Sequence, residues 1–283
     1  MSRARLKNNG YADSTVENYA RILKVLDKRG ASLWDPESVK YTIRHQSWSV
    51  GRKMIAVHAY SNFAKIIGLS WNPPKYKPPE KLPFIPQERE IDDLIAGCSL
   101  KISALLRLLK ETGMRVGEAF ILKWTDVDTV QKTVRVTPEK SSRPRIFKIS
   151  NLLIGMLNRL SKNEKRLFDY SSKPSLRRTF EKQRRRVALK LNNPRIQRIS
   201  FHTLRHWKAT SEYHKTKDIL HVMQLLGHKN IKNILKYTQL IDFEDNEFTC
   251  KVAQNIKEAK ELIETGFEFV TDMDSQKLFR KRK

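Results

Sequence analysis

In the stretch FHTLRHWKATSEYHKTKDILHVMQLLGHKNIKNILKYTQL, residues 201–240, several reactive side chains fall close together. His202, Arg205 and His206 form one group, His228 follows Leu226-Gly227, and Tyr237 comes nine residues after His228. Far upstream, in ETGMRVGEAFILKW, Arg115 precedes Glu118 by three positions. Residues three apart share a helix face, so His202 with Arg205, and Arg115 with Glu118, project together if these segments are helical. A guanidinium is a planar fork that holds two oxygens of one phosphate, which lysine cannot do. Two arginines could therefore clamp a phosphodiester and stabilise the extra charge of its five-coordinate transition state. Imidazoles beside them would donate hydrogen bonds or move protons near neutral pH. Tyr237 would be the nucleophile.

The positioning elements follow from the spacing. Nine residues make two and a half helical turns, so His228 and Tyr237 cannot face the same way on one straight helix. A break near Gly227 and Lys229-Asn230 is expected, with His228 capping or preceding the helix that bears Tyr237. Gly113 and Gly117 loosen the backbone around Arg115. Taken singly, each residue has a plainer reading: His228 as a helix-end hydrogen bonder, Tyr237 as core, Arg115 as a surface charge.

The totals favour a polyanionic partner. The 283-residue chain carries 56 Lys+Arg against 30 Asp+Glu, a net charge of +26. Such an excess repels itself unless a polyanion lies against it, which points to nucleic acid. Residues 1–80 hold 14 basic against 6 acidic residues, residues 81–241 hold 34 against 14, and residues 242–283 hold 8 against 10. No long apolar run, signal peptide or lipidation motif argues for a membrane. Cys98 and Cys250 have neither metal-ligand spacing nor a disulfide framework around them, so a reducing cytoplasm is the simplest compartment.

Periodicity and breakers predict a mainly α chain with a small β-sheet. Residues 14–29 read as a helix opened by a Ser14–Glu17 capping box and stopped at Gly30. Asp35-Pro36 starts a second helix, and a third runs from Ser49 to Ile67. Residues 72–86 hold six of the eleven prolines and read as a semi-rigid linker between an N-terminal helical domain, 1–71, and a second domain, 87–242. In the second domain, helices are expected over 87–97, 101–112, 116–124, 151–160, 176–191, 202–213, 218–226 and 230–240. Thr133–Pro138 and Arg145–Ile149 alternate around EKSSRP and predict a β-hairpin with a basic loop. Beyond Asp242, Val252, Ile256, Ala259 and Ile263 predict one apolar stripe on a helix in a C-terminal segment, 243–283. GFEFV and KLFRKRK at the end predict a terminal hairpin, or a strand and a loose basic tail.

The boxes TGMRVGE, HTLRHWKAT and LGHKN, with a tyrosine nine residues after that histidine, together resemble the tyrosine recombinase (phage integrase) family. The resemblance covers nearly the whole chain, and the GFEFV…LFRKRK end is similar to the tails of archaeal members. It implies a SAM-like helical core-binding domain followed by the recombinase catalytic domain. It makes Arg115 the first catalytic arginine and Glu118 the acid that supports it. His202 and Arg205 become the H-x-x-R pair, His228 the second histidine, Tyr237 the nucleophile, and His206 a supporting position. The hairpin-loop general acid would be Lys140, with Lys148 close by as the competing choice.

The implied reaction uses neither cofactor nor metal. Tyr237 displaces a 5′ hydroxyl to leave a 3′-phosphotyrosyl link, and a partner strand's 5′ hydroxyl reverses the step, through a Holliday junction. The implied partners are double-stranded DNA and further copies of the chain, a dimer on one site and a tetramer in synapsis. The 252–263 stripe would dock on a neighbour or on its own catalytic domain. Two other readings stand beside this one: a nicking–closing enzyme like the type IB topoisomerases, and a non-catalytic DNA-binding protein retaining the fold.

Overall fold

The computed structural model describes residues 3–79, 82–138, 142–162, 165–231, 235, 237, 248–273 and 276–282. The chain divides into two compact units, Met1–Lys81 and Leu82–Lys283.

The first unit is helical: α1 (Arg3–Asn8), α2 (Asp13–Lys28), α3 (Pro36–His45) and α4 (Val50–Ile67). Helix α2 buries Val16, and packs Ile22, Leu23 and Leu26 with Val39 and Ile43 of α3 and Ala56, Tyr60 and Phe63 of α4. The expected Ser14 cap is corrected: Ala12 occupies the cap position and gives no side-chain bond. Asp13, one residue further, puts its charge in the first turn, where the helix dipole favours an anion. Helices α3 and α4 start as their caps dictate. The Asp35 carboxylate accepts the Glu37 N–H at 3.0 Å and the Ser49 hydroxyl accepts the Arg52 N–H at 3.3 Å.

The proline-rich segment forms neither helix nor strand among its described residues. Its ends are nevertheless packed, each on its own unit. Trp71 and Tyr76 lie on the first core, while Phe84 and Ile85 lie on clusters of the second.

The second unit is built on α6 (Leu100–Thr112), whose Ile102, Leu105, Leu106, Leu108 and Leu109 are fully buried. Around it pack α5 (Glu88–Gly97), α8 (Asn151–Asn158) and α10 (Phe201–Thr216). Helix α7 (Val116–Ile121) is shorter than expected, since the backbone of Leu122 and Lys123 is extended and Trp124 opens a separate 3-10 turn, Trp124–Asp126. Strands β2 (Thr133–Val136) and β3 (Arg145–Lys148) form the predicted hairpin, in register Val134↔Phe147 and Val136↔Arg145. A third strand, β1 (Val127–Asp128), joins its edge. It is too short to leave an alternation pattern. Helix α9 (Lys173–Lys190) carries the run Arg184-Arg185-Arg186, and two of these arginines serve the fold, Arg184 donating to the Ile199 carbonyl and Arg186 to that of Gly97. Helix α11 (Ile219–Leu226) completes the layer against α10. Of the helix expected over 230–240, the described Leu235 closes a helical turn onto Ile231, and residues 232–234, 236 and 238–240 lie outside the described residues. So does the boundary expected at 242–243.

The C-terminal reading is corrected. Val252 lies in strand β4 (Phe248–Ala253), and the helix, α12 (Ile256–Glu264), starts only after Asn255 caps it by accepting the Glu258 N–H at 2.9 Å. The apparent stripe crosses that cap, so Val252 and Ile263 never share a helix. Strands β5 (Glu268–Met273) and β6 (Gln276–Arg282) form the expected terminal hairpin, and β6 lies between β4 and β5 in an antiparallel sheet. Phe279 and Ala253 are buried within this module.

Candidate active site

Helix α6 ends at Gly113, whose left-handed backbone (φ 63°) turns the chain sharply toward Arg115. Arg115 immediately precedes α7. Its backbone N–H donates to the Glu118 carboxylate at 2.8 Å, and its Nη1 reaches the other oxygen of that group at 3.3 Å. Nη1 also donates to the Ser142 hydroxyl, beside the hairpin loop. The Glu118 side chain is completely buried. A buried carboxylate is tolerated only when paired, and a second guanidinium completes the pairing: Arg145 Nη2 lies 2.7 Å from Glu118 Oε2.

Helix α10 supplies the second half. Ser200 caps it, accepting the Thr203 N–H at 3.2 Å while Thr203 Oγ1 takes the Ser200 N–H at 3.0 Å. Arg205 projects from its inner face and is 2% exposed. Its Nη1 donates to the Gly113 carbonyl and its Nη2 to the Leu226 carbonyl, each at 2.7 Å. That Nη2 also lies 2.9 Å from His228 Nε2. A guanidinium only donates, so His228 Nε2 is the acceptor there. Arg145 Nη1 donates to the same Leu226 carbonyl.

The break expected around His228 is present and falls just before it. Helix α11 ends at Leu226, Gly227 is left-handed (φ 67°), and the His228 N–H turns back to the Met223 carbonyl at 3.0 Å. Only glycine fits this turn, because a Cβ at 227 would also stand 2.8 Å from Arg145 Nη1. Tyr237 is 2% exposed, its ring among Ala209, Val222 and Leu226. Its hydroxyl is 2.7 Å from His206 Nδ1. His206 meets the exposed His202 edge-on at 4.5 Å between ring centroids.

Among the described residues the charges do not balance. One carboxylate, Glu118, serves Arg115 and Arg145, and Arg205 relies on backbone carbonyls and His228. Burial, and then the charges of Arg115 and Arg145, pull the Arg205 guanidinium down to about 9, while Glu118 and Tyr237 oppose the shift. Burial likewise lowers Arg145, against the attraction of Glu118. Tyr237 is pushed up to about 12 by burial, with the Arg205 charge pulling it back. A cationic surplus in a dry setting calls for an anion, and two guanidiniums with a phenol beside them suit a phosphodiester.

A family model described as the phage integrase family matches residues 87–244, more than half of the chain. The chain belongs to the phage integrase family. Curated relatives include the tyrosine recombinase XerA of Pyrococcus horikoshii, 25% identical over 270 residues and 92% of either chain. The XerA of Saccharolobus solfataricus is 28% identical, over 78% of this chain and 72% of that one. Among solved structures, a lambda integrase tetramer bound to a Holliday junction matches at a TM-score of 0.65. At 15% identity over 86% of this chain and 77% of that one, the likeness is one of fold: a mainly helical integrase catalytic fold with a small sheet.

Of the residues singled out in this integrase sequence, the fold gathers Arg115, Glu118, His202, Arg205, His206, His228 and Tyr237. Lys140 lies outside the described residues. Lys148 pairs with Thr133 at the open end of the hairpin and is exposed, on the strand face opposite Arg145. Sequence reasoning missed Arg145. Its signal was an arginine in phase with Phe147, on the face that turns into the core. No helix among the described residues is long and apolar enough to cross a membrane.

Proposed function

We propose that this chain is a site-specific DNA recombinase of the tyrosine type, in which Tyr237 attacks a DNA phosphodiester held by Arg115 and Arg205. The observation that carries this reading is the convergence, from separate elements, of two arginines, His228 and the buried Tyr237 on one cluster with more cations than carboxylates. Attack forms the bond from Tyr237 Oη to phosphorus and releases the 5′ oxygen, conserving the phosphodiester energy in a 3′-phosphotyrosyl link. The guanidiniums stabilise the charge that builds on the non-bridging oxygens, and no metal enters the scheme. Lys140 protonates the leaving oxygen. Its position in the sequence, between β2 and β3, favours it over Lys148, which stands at the far end of β3.

Residues 1–71 act as the core-binding domain and residues 72–86 as the linker, so that two basic blocks take hold of one duplex. Copies assemble as a dimer on a site and a tetramer in synapsis, in the cytoplasm or on the nucleoid. The test uses a nicked duplex carrying a site that the protein itself selects from random-sequence DNA. Wild-type protein should form a covalent adduct on it, and Tyr237→Phe should abolish the adduct while binding the same duplex. An adduct that persists in the Phe variant would remove Tyr237 from the role of nucleophile.

A further inference from the structure

We propose that His206 is the group that takes the proton from Tyr237 as the tyrosine attacks. The inference rests on the reading of Tyr237 as nucleophile and adds a catalytic role to a residue assigned only a supporting one. Its first support is distance, since His206 Nδ1 lies 2.7 Å from the Tyr237 hydroxyl, within reach for direct proton transfer. Its second is the state of two other bases in the cluster. His228 Nε2 already accepts from Arg205, and both oxygens of Glu118 are taken by Arg115 and Arg145. Its third is need. The phenol is buried among Ala209, Val222 and Leu226, in surroundings that disfavour a free phenolate.

The step balances without any further reagent. The bond from Tyr237 Oη to phosphorus forms as the bond from phosphorus to the 5′ oxygen breaks. The phenolic proton moves to His206 Nδ1, and the leaving 5′ oxygen takes its proton from Lys140. Religation runs the same transfers backwards, His206 returning the proton to the departing tyrosine. The phosphate brings negative charge to a cationic cluster, which favours an imidazolium beside it. His202, edge-on to His206 and open to solvent, is a neighbour through which that proton can reach bulk water.

The experiment replaces His206 by Gln or Asn and, separately, Tyr237 by 2,3-difluorotyrosine, whose phenol gives up its proton more readily. Single-turnover cleavage and binding are read on the selected nicked duplex. His206→Gln should slow cleavage about 100-fold, the usual size of a lost general base, with binding unchanged. Fluorination of Tyr237 should recover most of that loss. A rate within about twofold of wild type, or a defect of the same size with either phenol, would overturn the proposal. In the chain that keeps His206, fluorination alone should barely change the rate, and a steep rise there overturns it without any His206 variant having to fold. Loss of the adduct in Tyr237→Phe, together with an indifferent His206, would defeat this inference alone and leave the nucleophile in place.

Discussion

Two buried glutamates of the second unit show how similar ion pairs serve different ends. Glu90 accepts the Gln87 N–H at 2.8 Å, Arg195 Nε at 2.8 Å and the Asn193 amide at 3.3 Å. One carboxylate meets one guanidinium, and Arg195 is half exposed, so solvent takes up what charge is left. Glu118 has no exposure and faces Arg115 and Arg145, with Arg205 close enough to feel all three. The Arg145 Nε finds no acceptor among the described residues. The Glu90 site is closed chemistry, tying α5 to the 3-10 turn at Pro194–Arg198. The Glu118 site is open, short of negative charge among the described residues, and the proposed phosphate would complete it. The count of charges, more than the burial, separates a structural pin from a cluster suited to an anion.

The largest expected effect breaks the open site and spares the closed one. Arg205→Ala should lower single-turnover cleavage by about 1000-fold, comparable to losing a strong oxyanion donor. Arg195→Ala should leave the cleavage rate unchanged. A similar loss in both would mean that fold damage, and not phosphate contact, explains Arg205. The next effect is on stability. Glu118→Gln strands the buried Arg145 and the half-buried Arg115 guanidiniums and should cost about 3–5 kcal/mol in urea unfolding. Glu90→Gln, facing a half-exposed partner, should cost about 1–2 kcal/mol.

The smallest effect is a pH limb. Burial alone would raise the Glu90 carboxyl, but the bonds from Arg195, Gln87 and Asn193 and the Arg195 charge hold it below its ordinary 4.5. A depressed folded-state value means the unfolded chain binds the proton first, so this stability is present above pH 4.5 and lost as pH falls below it. Thermal unfolding of wild type and Glu90→Gln, followed between about pH 6 and 3, should converge toward the acid end.

The helices were legible where breakers and caps are strong: Asp35-Pro36, Ser49 and Gly68 set the ends of α3 and α4. At α2 the same reasoning failed, since a serine three before a glutamate matches a cap pattern even when the helix has already begun at Asp13. The candidate site was legible as a set through the resemblance of its boxes, since each residue taken singly has a plainer reading, and only the Gly227 break followed from spacing alone. Arg145 was hidden because its partners, Glu118 and the Leu226 carbonyl, are 27 and 81 positions away in the chain. Strand β1 was hidden by its brevity. The C-terminal stripe misled because spacings of three and four also arise by chance when a strand runs into a helix, and Asn255 marks the join.

The bonds of Arg205 to the carbonyls of Gly113 and Leu226 span 92 and 21 positions. The guanidinium is thus located by the ends of two helices and not by the length of chain between them. The turn at 129–132, exposed between β1 and β2, can lengthen or shorten without moving that guanidinium. Natural variation in a lineage should therefore accumulate there as insertions, while the two helix ends keep their length to the residue.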